Sequence, residues 1–348
     1  MALLNLPHEE AAYLDFNDAL AQLVTPRLAE QLRGSFAGSS ASTLEEVEAA
    51  LQGTPEYRVE ESWSRAAHRF MWWHLNHAYE MTENEVEQEL DSVPAKGLGE
   101  VRLNPNLEMP GYYKNVKFHL APRSFWGNSV YPMKDMIGEG RGIESPAFPS
   151  MARTLLTRDW IEIKEWVQKL GPDTSKVRRA VDLGCGIGRA TLALKELYPN
   201  AEIYGVDMSG PMLRYAHYRA EKAGLPITFV QASVEDMPFE PGFFDLMVSY
   251  VMTHEIPPRY LKDYAREAHR VLAPGGVLLN GDVKPYDQQA PLMRFMLDRQ
   301  VASGSEPYWR SSLTSDLAET FREFGFAEVS EVDGSKGRHF PWWTIAAG

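Results

Sequence analysis

One short turn constrains the fold of this chain more than any other stretch. Residues 181–188 read VDLGCGIG, with glycine at positions 184, 186 and 188. The apolar run before the turn predicts a short buried strand, and the spacing in 189–200 predicts a helix after it. Glycine adopts backbone angles closed to other residues and, without a Cβ, lets a ligand approach the main chain and the helix N-terminus. The turn therefore favours a nucleotide or nucleoside site, with a plain tight turn as the alternative.

A second strand and its terminal acid strengthen this interpretation. The stretch 201–210, AEIYGVDMSG, places Asp207 nineteen positions after Gly188. A carboxylate there can accept hydrogen bonds from both ribose hydroxyls, and an ordinary helix N-cap is the alternative. A dinucleotide fingerprint would require glycine or alanine at position 189, where this chain has Arg189. NAD is therefore disfavoured.

Together with three later segments, these motifs resemble class I S-adenosylmethionine-dependent methyltransferases, in the small-molecule branch that includes the quinone-biosynthesis enzymes. The segments are VEDMPF (234–239), FFDLMVSYVMTHEI (243–256) and VLAPGGVLL (271–279). The resemblance covers about 151–348 and little of 1–150. It implies an α/β, Rossmann-like domain with a seven-stranded, mostly parallel sheet whose last strand is antiparallel. A mostly helical N-terminal module would precede it.

The resemblance also implies roles for single residues toward S-adenosylmethionine. Asp182 would order the methionine amino group, the glycines would face the methionine moiety, and Asp207 would bind the ribose. Ser233 stands where many relatives have the aspartate that accepts the adenine amine, so it would accept that bond without a charge. Cys185 is expected to be a small filler and not a nucleophile. The full cofactor-binding set expected is Asp182, Gly184, Cys185, Gly186, Gly188, Asp207, Met208, Ser233, Val234, Glu235 and Tyr250.

Catalytic candidates lie in 248–260, which projects toward the methyl-transfer pocket in this fold family. His254 and Glu255 are the candidate acid/base pair, because histidine titrates near neutral pH and suits a general base. A structural role for His254 is the alternative. The residues expected to contact the acceptor are Phe125, Trp126, Tyr131 and Arg310.

These observations predict an enzyme that transfers a methyl group to a small, largely apolar or aromatic metabolite, with O-methylation favoured. Methylation of nitrogen, sulfur or carbon is the alternative within the class. A cofactor-binding regulatory protein without transfer is the alternative outside it.

Composition bounds the partners and the compartment. The chain of 348 residues carries a net charge of −13, from 48 acidic and 35 basic residues, which disfavours a nucleic-acid partner. A single cysteine indicates a reducing compartment, and the absence of a long apolar run or a basic leader predicts no membrane association and a cytoplasmic location. Trp342 and Trp343 are expected to serve packing or a subunit contact, so a homodimer stays open.

The expected domains are 1–150, a mostly helical module that caps the acceptor site, and 151–348, which the resemblance implies is the S-adenosylmethionine-binding methyltransferase domain. Helices are predicted across 11–33 and 62–81, with an N-cap at Ser42 or Thr43 before another. The acidic run 83–91 predicts the solvated face of a further helix that begins after Thr82. The proline-broken stretch 94–150 indicates a functional or covering segment. A set of four side chains raises the question of a metal site, but packing is favoured and no metal is predicted: His68, His74, His77 and Glu80.

Overall fold

A computed structural model describes residues 8–114, 116–120, 127–130, 132–133, 135–136, 156–304, 306–336 and 340–348. The chain folds into two compact units, each built from three separate segments. The first unit contains Met1–Gln88, Val116–Arg158 and Gln288–Pro307, and the second contains Glu89–Asn115, Asp159–Asp287 and Tyr308–Gly348.

The elements alternate between helix and strand from the middle of the chain onward, as a doubly wound domain requires. The helices are α1 (His8–Phe36), α2 (Leu44–Leu51), α3 (Pro55–Asp91), α4 (Gly111–Lys114), α5 (Leu156–Leu170), α6 (Arg189–Leu197), α7 (Gly210–Lys222), α8 (Pro258–Val271), α9 (Pro291–Gly304), α10 (Trp309–Leu313) and α11 (Leu317–Glu323). The strands are β1 (Glu100–Arg102), β2 (Arg179–Leu183), β3 (Glu202–Asp207), β4 (Thr228–Gln231), β5 (Phe244–Tyr250), β6 (Leu272–Asp282), β7 (Glu328–Asp333) and β8 (Trp342–Ala347).

Helices dominate the described part of the first unit, as the periodicity predicted. Thr43 is the N-cap of α2, and a reciprocal capping box with Glu46 satisfies its first turn. The prediction of a helix start after Thr82 is wrong, because α3 runs unbroken from Pro55 to Asp91. The Thr82 hydroxyl donates to the carbonyl of Ala78, one turn back, so its hydrogen bond is made inside the helix and it does not act as an N-cap.

The histidines that raised the question of a metal hold a carboxylate instead. His74 Nδ1 lies 2.9 Å from one oxygen of Glu10, and His77 Nδ1 lies 2.7 Å from the other. Glu10 and His74 are buried, and Tyr13 stacks on the His74 ring. These contacts join α1 to α3 within the first unit, in keeping with the packing interpretation. The side chain of His68 lies outside the described residues.

The second unit contains a twisted sheet in the order β1-β4-β3-β2-β5-β6-β8-β7. All neighbouring strands pair in parallel except at β8, which is antiparallel to both β6 and β7. The predicted Rossmann-like architecture with an antiparallel last strand is therefore confirmed. The described chain also adds an eighth strand, β1, beside β4 at the sheet edge.

Helices cover both faces of this sheet, so its central strands are buried on two sides. On one face α5, α6 and α7 pack with Leu246 and Val248 of β5 into one apolar cluster. On the other face α8 and α11 pack with Met247 into a second cluster. Such strands read as continuous apolar runs, which is why the sequence around β2 and β5 lacks alternation. Trp343 is fully buried in the first cluster, which confirms its packing role.

Candidate functional site

The functional side chains of the second unit gather where the parallel strands end. The chain leaves β2, adds β3 and β4 on one side, and then returns to place β5 on the other side of β2. In open α/β sheets, ligands bind outside the carboxyl ends of the strands at such a switch point. The glycine turn follows β2 there, Asp207 ends β3, and the loop with His254 follows β5.

The three glycines of the turn all have positive φ angles, but the space around each of them differs. A Cβ on Gly184 would lie 2.6 Å from the Met252 side chain, and one on Gly188 would lie 2.9 Å from Cβ of Ala216. Gly186 differs, since its nearest neighbour would be the Met212 sulfur at 3.8 Å. Gly184 and Gly188 therefore permit close packing, whereas Gly186 faces open space.

A buried carboxylate, Asp182, and a half-buried one, Asp207, support this turn. Asp207 accepts the N–H of Gly186 on one oxygen and that of Ser209 on the other, both at 2.8 Å. Burial raises its pKa to about 6, and the charge of Glu255 adds to that rise. Asp182 accepts the Thr191 hydroxyl at 2.6 Å, and burial raises its pKa to about 7. The pair concentrates negative charge behind the turn.

Cys185 lies inside the turn as a filler. It is buried, its N–H donates to the carbonyl of Val206, and burial raises the pKa of its thiol well above the ordinary value. A thiol in that state is a poor nucleophile.

A second group of predicted residues follows β4. The Ser233 hydroxyl donates to Glu235 at 3.1 Å and accepts the Glu235 N–H at 3.3 Å. Tyr112 donates its hydroxyl to the other Glu235 oxygen at 2.6 Å. Burial raises the pKa of Glu235, while these two hydroxyls oppose the rise. Val234 is buried beside them, and the carbonyl of half-exposed Met208 accepts the side-chain amide of Gln231.

Asp282, at the end of β6, organises the loop after β5. One of its oxygens accepts the N–H groups of Met252, Thr253 and His254 together with the Thr253 hydroxyl, at 2.6 to 3.3 Å. The other accepts from His254 Nδ1 and from the Val283 N–H, at 2.7 and 2.6 Å. Burial alone would raise the pKa of Asp282, but the His254 charge and these donors hold it below the ordinary value.

The same loop carries backbone strain and a buried imidazole. Val251 has a φ of 57°, a left-handed conformation that costs a β-branched residue about 1–3 kcal/mol. His254 is 3% exposed, and its ring meets the edge of Trp309, with the two ring centroids 4.9 Å apart. Asp282 and this packing hold His254 in a single orientation.

Glu255 has a different hydrogen-bond partner from that of His254, the residue before it. It accepts the Tyr113 hydroxyl at 3.2 Å, and it is half-buried. Burial and the charges of Glu255 and Asp207 raise the pKa of Tyr113 well above the ordinary value. The two members of the candidate acid/base pair thus contact different residues, Asp282 and Tyr113. Tyr250 packs its ring against Trp343, with the centroids 5.7 Å apart.

Of the four residues predicted to contact the acceptor, the structure describes Arg310. Phe125, Trp126 and Tyr131 lie outside the described residues. Arg310 lies on the exposed side of α10, one position after buried Trp309.

The sequence reasoning did not single out Asp282, nor Tyr112 and Tyr113. Asp282 carried a signal, since a carboxylate that ends a central parallel strand lies at the ligand-binding edge. The two tyrosines precede the recognised motifs, and the signal that covered them was the proline-broken stretch 94–150, which indicated a functional or covering segment without marking single residues.

The site suits a nucleoside ligand that bears positive charge. A side chain at position 186 would fill the open space before the turn, where the chain has glycine instead. Each Asp207 oxygen accepts a backbone N–H, and a carboxylate oxygen can accept a further hydrogen bond, such as one from a ribose hydroxyl. Burial is the main cause of the raised pKa values of Asp182 and Asp207, and a cationic group of a ligand nearby would favour the ionised forms of both carboxyls. S-adenosylmethionine has both properties.

The sequence model of the methyltransferase domain family matches residues 180–276, the part of the chain from β2 to β6. This chain carries a class I, S-adenosylmethionine-dependent methyltransferase domain. The matched stretch contains the glycine turn, Asp207 and His254, while Tyr113 and Asp282 lie outside it.

Several relatives of the methyltransferase domain have named activities. A demethylmenaquinone methyltransferase of Thermus thermophilus is 40% identical over 105 residues, 29% of this chain and 46% of that protein. An erythromycin 3''-O-methyltransferase of Saccharopolyspora erythraea is 34% identical over 169 residues, 47% of this chain and 55% of that protein. The chain thus spans about half the length of these relatives.

Among solved structures, phosphoethanolamine N-methyltransferase 2 of Haemonchus contortus with S-adenosyl-L-methionine is similar, with a TM-score of 0.45 and 18% identity. The match covers 54% of this chain and 52% of that one. Within the described part of this chain, no helix combines the length and the apolarity needed to cross a bilayer.

Proposed function

We propose that the protein transfers a methyl group from S-adenosylmethionine to a hydroxyl oxygen of a small, largely apolar or aromatic molecule. The observation that carries the oxygen preference is the contact of 2.7 Å between His254 Nδ1 and the Asp282 carboxylate. A hydroxyl must lose a proton to be methylated, and a histidine oriented by a carboxylate is suited to remove it. The name of the erythromycin relative supports a hydroxyl acceptor, whereas the other relatives differ in their named reactions.

The cofactor would lie along the carboxyl ends of β4, β3, β2 and β5. In this proposal Asp207 accepts the ribose hydroxyls, Gly186 leaves room for the methionine moiety, and Ser233 with Glu235 borders the adenine. The bound cofactor supplies an activated methyl group on a sulfonium. The protein therefore needs to align the acceptor with that methyl, and proximity of this kind contributes roughly 7–11 kcal/mol.

His254 would remove the proton through Nε2, because Nδ1 is committed to Asp282. The carboxylate partner favours the tautomer with the proton on Nδ1, so Nε2 is the nitrogen that would take the acceptor's proton. Trp309 packs against the imidazole and keeps it from rotating. Asp282 then stabilises the imidazolium that forms, since its own pKa is held low and it stays ionised.

The test uses purified protein, S-adenosylmethionine and a panel of small aromatic and aliphatic acceptors offered as matched alcohols, amines and thiols. We expect S-adenosylhomocysteine release with alcohols, and a loss of about 10²–10⁴ in kcat for His254→Ala. Transfer confined to amines or thiols, or His254→Ala at the wild-type rate with an alcohol, contradicts O-methylation. A wild-type protein that binds neither S-adenosylmethionine nor S-adenosylhomocysteine contradicts the proposal as a whole.

A further inference from the structure

Two adjacent tyrosines reach two different loops at the carboxyl edge of the sheet. They belong to α4, Gly111–Lys114, which we call the strap. Tyr112 donates to Glu235 in the loop after β4, and Tyr113 donates to Glu255 in the loop after β5. In the sheet, β3 and β2 lie between β4 and β5. The strap therefore bridges about 14 Å, or three strand spacings, above the ends of β3 and β2.

The residues below this bridge are those that suit the nucleoside. Asp207 ends β3 and the glycine turn with Gly186 follows β2. The Tyr113 hydroxyl lies close enough to Asp207 and Glu255 to feel both charges. A ligand on the ribose carboxylate would thus be enclosed between the sheet edge and the strap.

Before the strap, the chain is anchored to the sheet. β1 pairs with β4 over Glu100–Arg102, and the N–H of Asn104 donates to the Gln231 side chain at 2.9 Å. At the strap itself, the Tyr308 hydroxyl donates to the Tyr112 carbonyl at 2.6 Å, and the Tyr260 ring packs on Tyr112. The segment 105–110 between these two points contains two prolines and no helix or strand. This segment connects β1 to the strap, and opening the strap would also have to break the Tyr308 bond.

The bonds that fasten the strap to the two loops are reversible. Both tyrosine hydroxyls donate to carboxylates, which makes charge-assisted hydrogen bonds. The contacts that fasten the strap are made to protein groups, Glu235 and Glu255, and not to a group of the ligand. Weakening one bond would therefore open the path equally for entry and exit.

We propose that the strap gates the cofactor site, so that S-adenosylmethionine enters and S-adenosylhomocysteine leaves only when Tyr113 releases Glu255 and Tyr112 releases Glu235. The inference rests on the proposed function, because the gated ligand is the cofactor. It assigns a role to a segment before the matched methyltransferase domain.

Stopped-flow measurement of S-adenosylhomocysteine binding tests the gate in the full-length protein. For Tyr113→Phe we expect association and dissociation rate constants each to rise about tenfold, with a Kd within about twofold of wild type. Tenfold corresponds to about 1.4 kcal/mol, close to the lower end for a hydrogen bond to a charged group. Tyr112→Phe should act in the same direction.

Tyr198→Phe is the matched control, because its hydroxyl donates to the Pro172 carbonyl at the opposite edge of the sheet. It should leave both rate constants unchanged, and thermal unfolding should show all three variants folded. Unchanged rate constants in the strap variants would overturn the gate. So would a faster dissociation alone, with Kd rising in proportion, since that marks a direct cofactor contact. Wild-type protein that binds no S-adenosylhomocysteine would overturn the proposed function together with the gate. Wild-type protein that binds it, with unchanged rate constants in the strap variants, would overturn the gate alone.

Discussion

Replacing Asp282 with asparagine should disable His254 without removing it. Asparagine has nearly the same shape but one oxygen and one NH₂ group in place of two acceptors. The oxygen that holds Met252 and Thr253 accepts most of the bonds, so the asparagine oxygen should take that place. The NH₂ group would then face His254 Nδ1, where a carboxylate oxygen now lies at 2.7 Å.

This change reverses the tautomer of the histidine. Facing a donor, Nδ1 must present its lone pair, so the proton moves to Nε2 and that nitrogen can no longer accept one. General-base catalysis contributes about 10²–10⁴ in rate, which corresponds to about 3–5 kcal/mol at 1.36 kcal/mol per factor of ten. The N–H of Val283 also loses its acceptor, at a cost to stability of about 1–3 kcal/mol.

The assay compares kcat, S-adenosylhomocysteine affinity and the thermal midpoint of Asp282→Asn with wild type. We expect kcat to fall by a factor of roughly 10²–10⁴, while the affinity for S-adenosylhomocysteine changes little. Asp245→Asn is the matched control, because this carboxylate accepts the N–H groups of Arg178 and Arg179 at the amino end of β5. A kcat near the wild-type value in Asp282→Asn would refute the tautomer argument, as would an equal loss in Asp245→Asn.

Three further predictions concern the residues of the proposed cofactor site. Asp207→Ala should weaken S-adenosylhomocysteine binding by about 1.5–3 kcal/mol in calorimetry, because it removes a charged acceptor of ribose hydroxyls. Between pH 5.5 and 7.5, urea unfolding should show a free energy that falls with rising pH in wild type. It should fall less in Asp182→Asn, since a carboxyl whose pKa is raised to about 7 stabilises the folded state only while it is protonated. Gly188→Ala and Gly186→Ala both place a side chain at a positive φ angle and should lower the thermal midpoint, Gly188→Ala more because of its contact with Ala216, whereas Gly186→Ala should in addition weaken cofactor binding.

Each of these outcomes has a result that contradicts it. Unchanged affinity in Asp207→Ala would mean that the ribose lies elsewhere. Parallel pH dependence in Asp182→Asn and wild type would mean that this carboxyl is not the protonated group. A Gly186→Ala variant that binds the cofactor as tightly as wild type would show that the space before the turn is not used by the ligand.

The turn after β2 and the acids near the ends of β2 and β3 could be located from sequence because each has a local signature. A run of alternate glycines needs positive φ angles, and Gly184, Gly186 and Gly188 have them. Parallel strands buried on both faces also leave a clear apolar run, so β2 was placed correctly.

Contacts between residues far apart in sequence have no local signature and could not be predicted. The partner of His254 comes from a strand that follows it by 28 positions, and nothing local marks that pairing. Strand β1 and the strap arise from a proline-rich stretch without periodicity, where pairing with β4 decides the conformation. The role of Thr82 was also misread, because a threonine before acidic residues fits a helix start and a helix interior equally well.

The most direct test of O-methylation follows a ¹³C-labelled methyl group from S-adenosylmethionine into the product. An acceptor that the panel identifies is incubated with wild type and with His254→Ala, and the product is analysed by NMR. The account predicts a labelled methoxy carbon with wild type and a strongly slowed appearance of the same signal with His254→Ala. Label on nitrogen, sulfur or carbon, or equal rates for the two proteins, would contradict it.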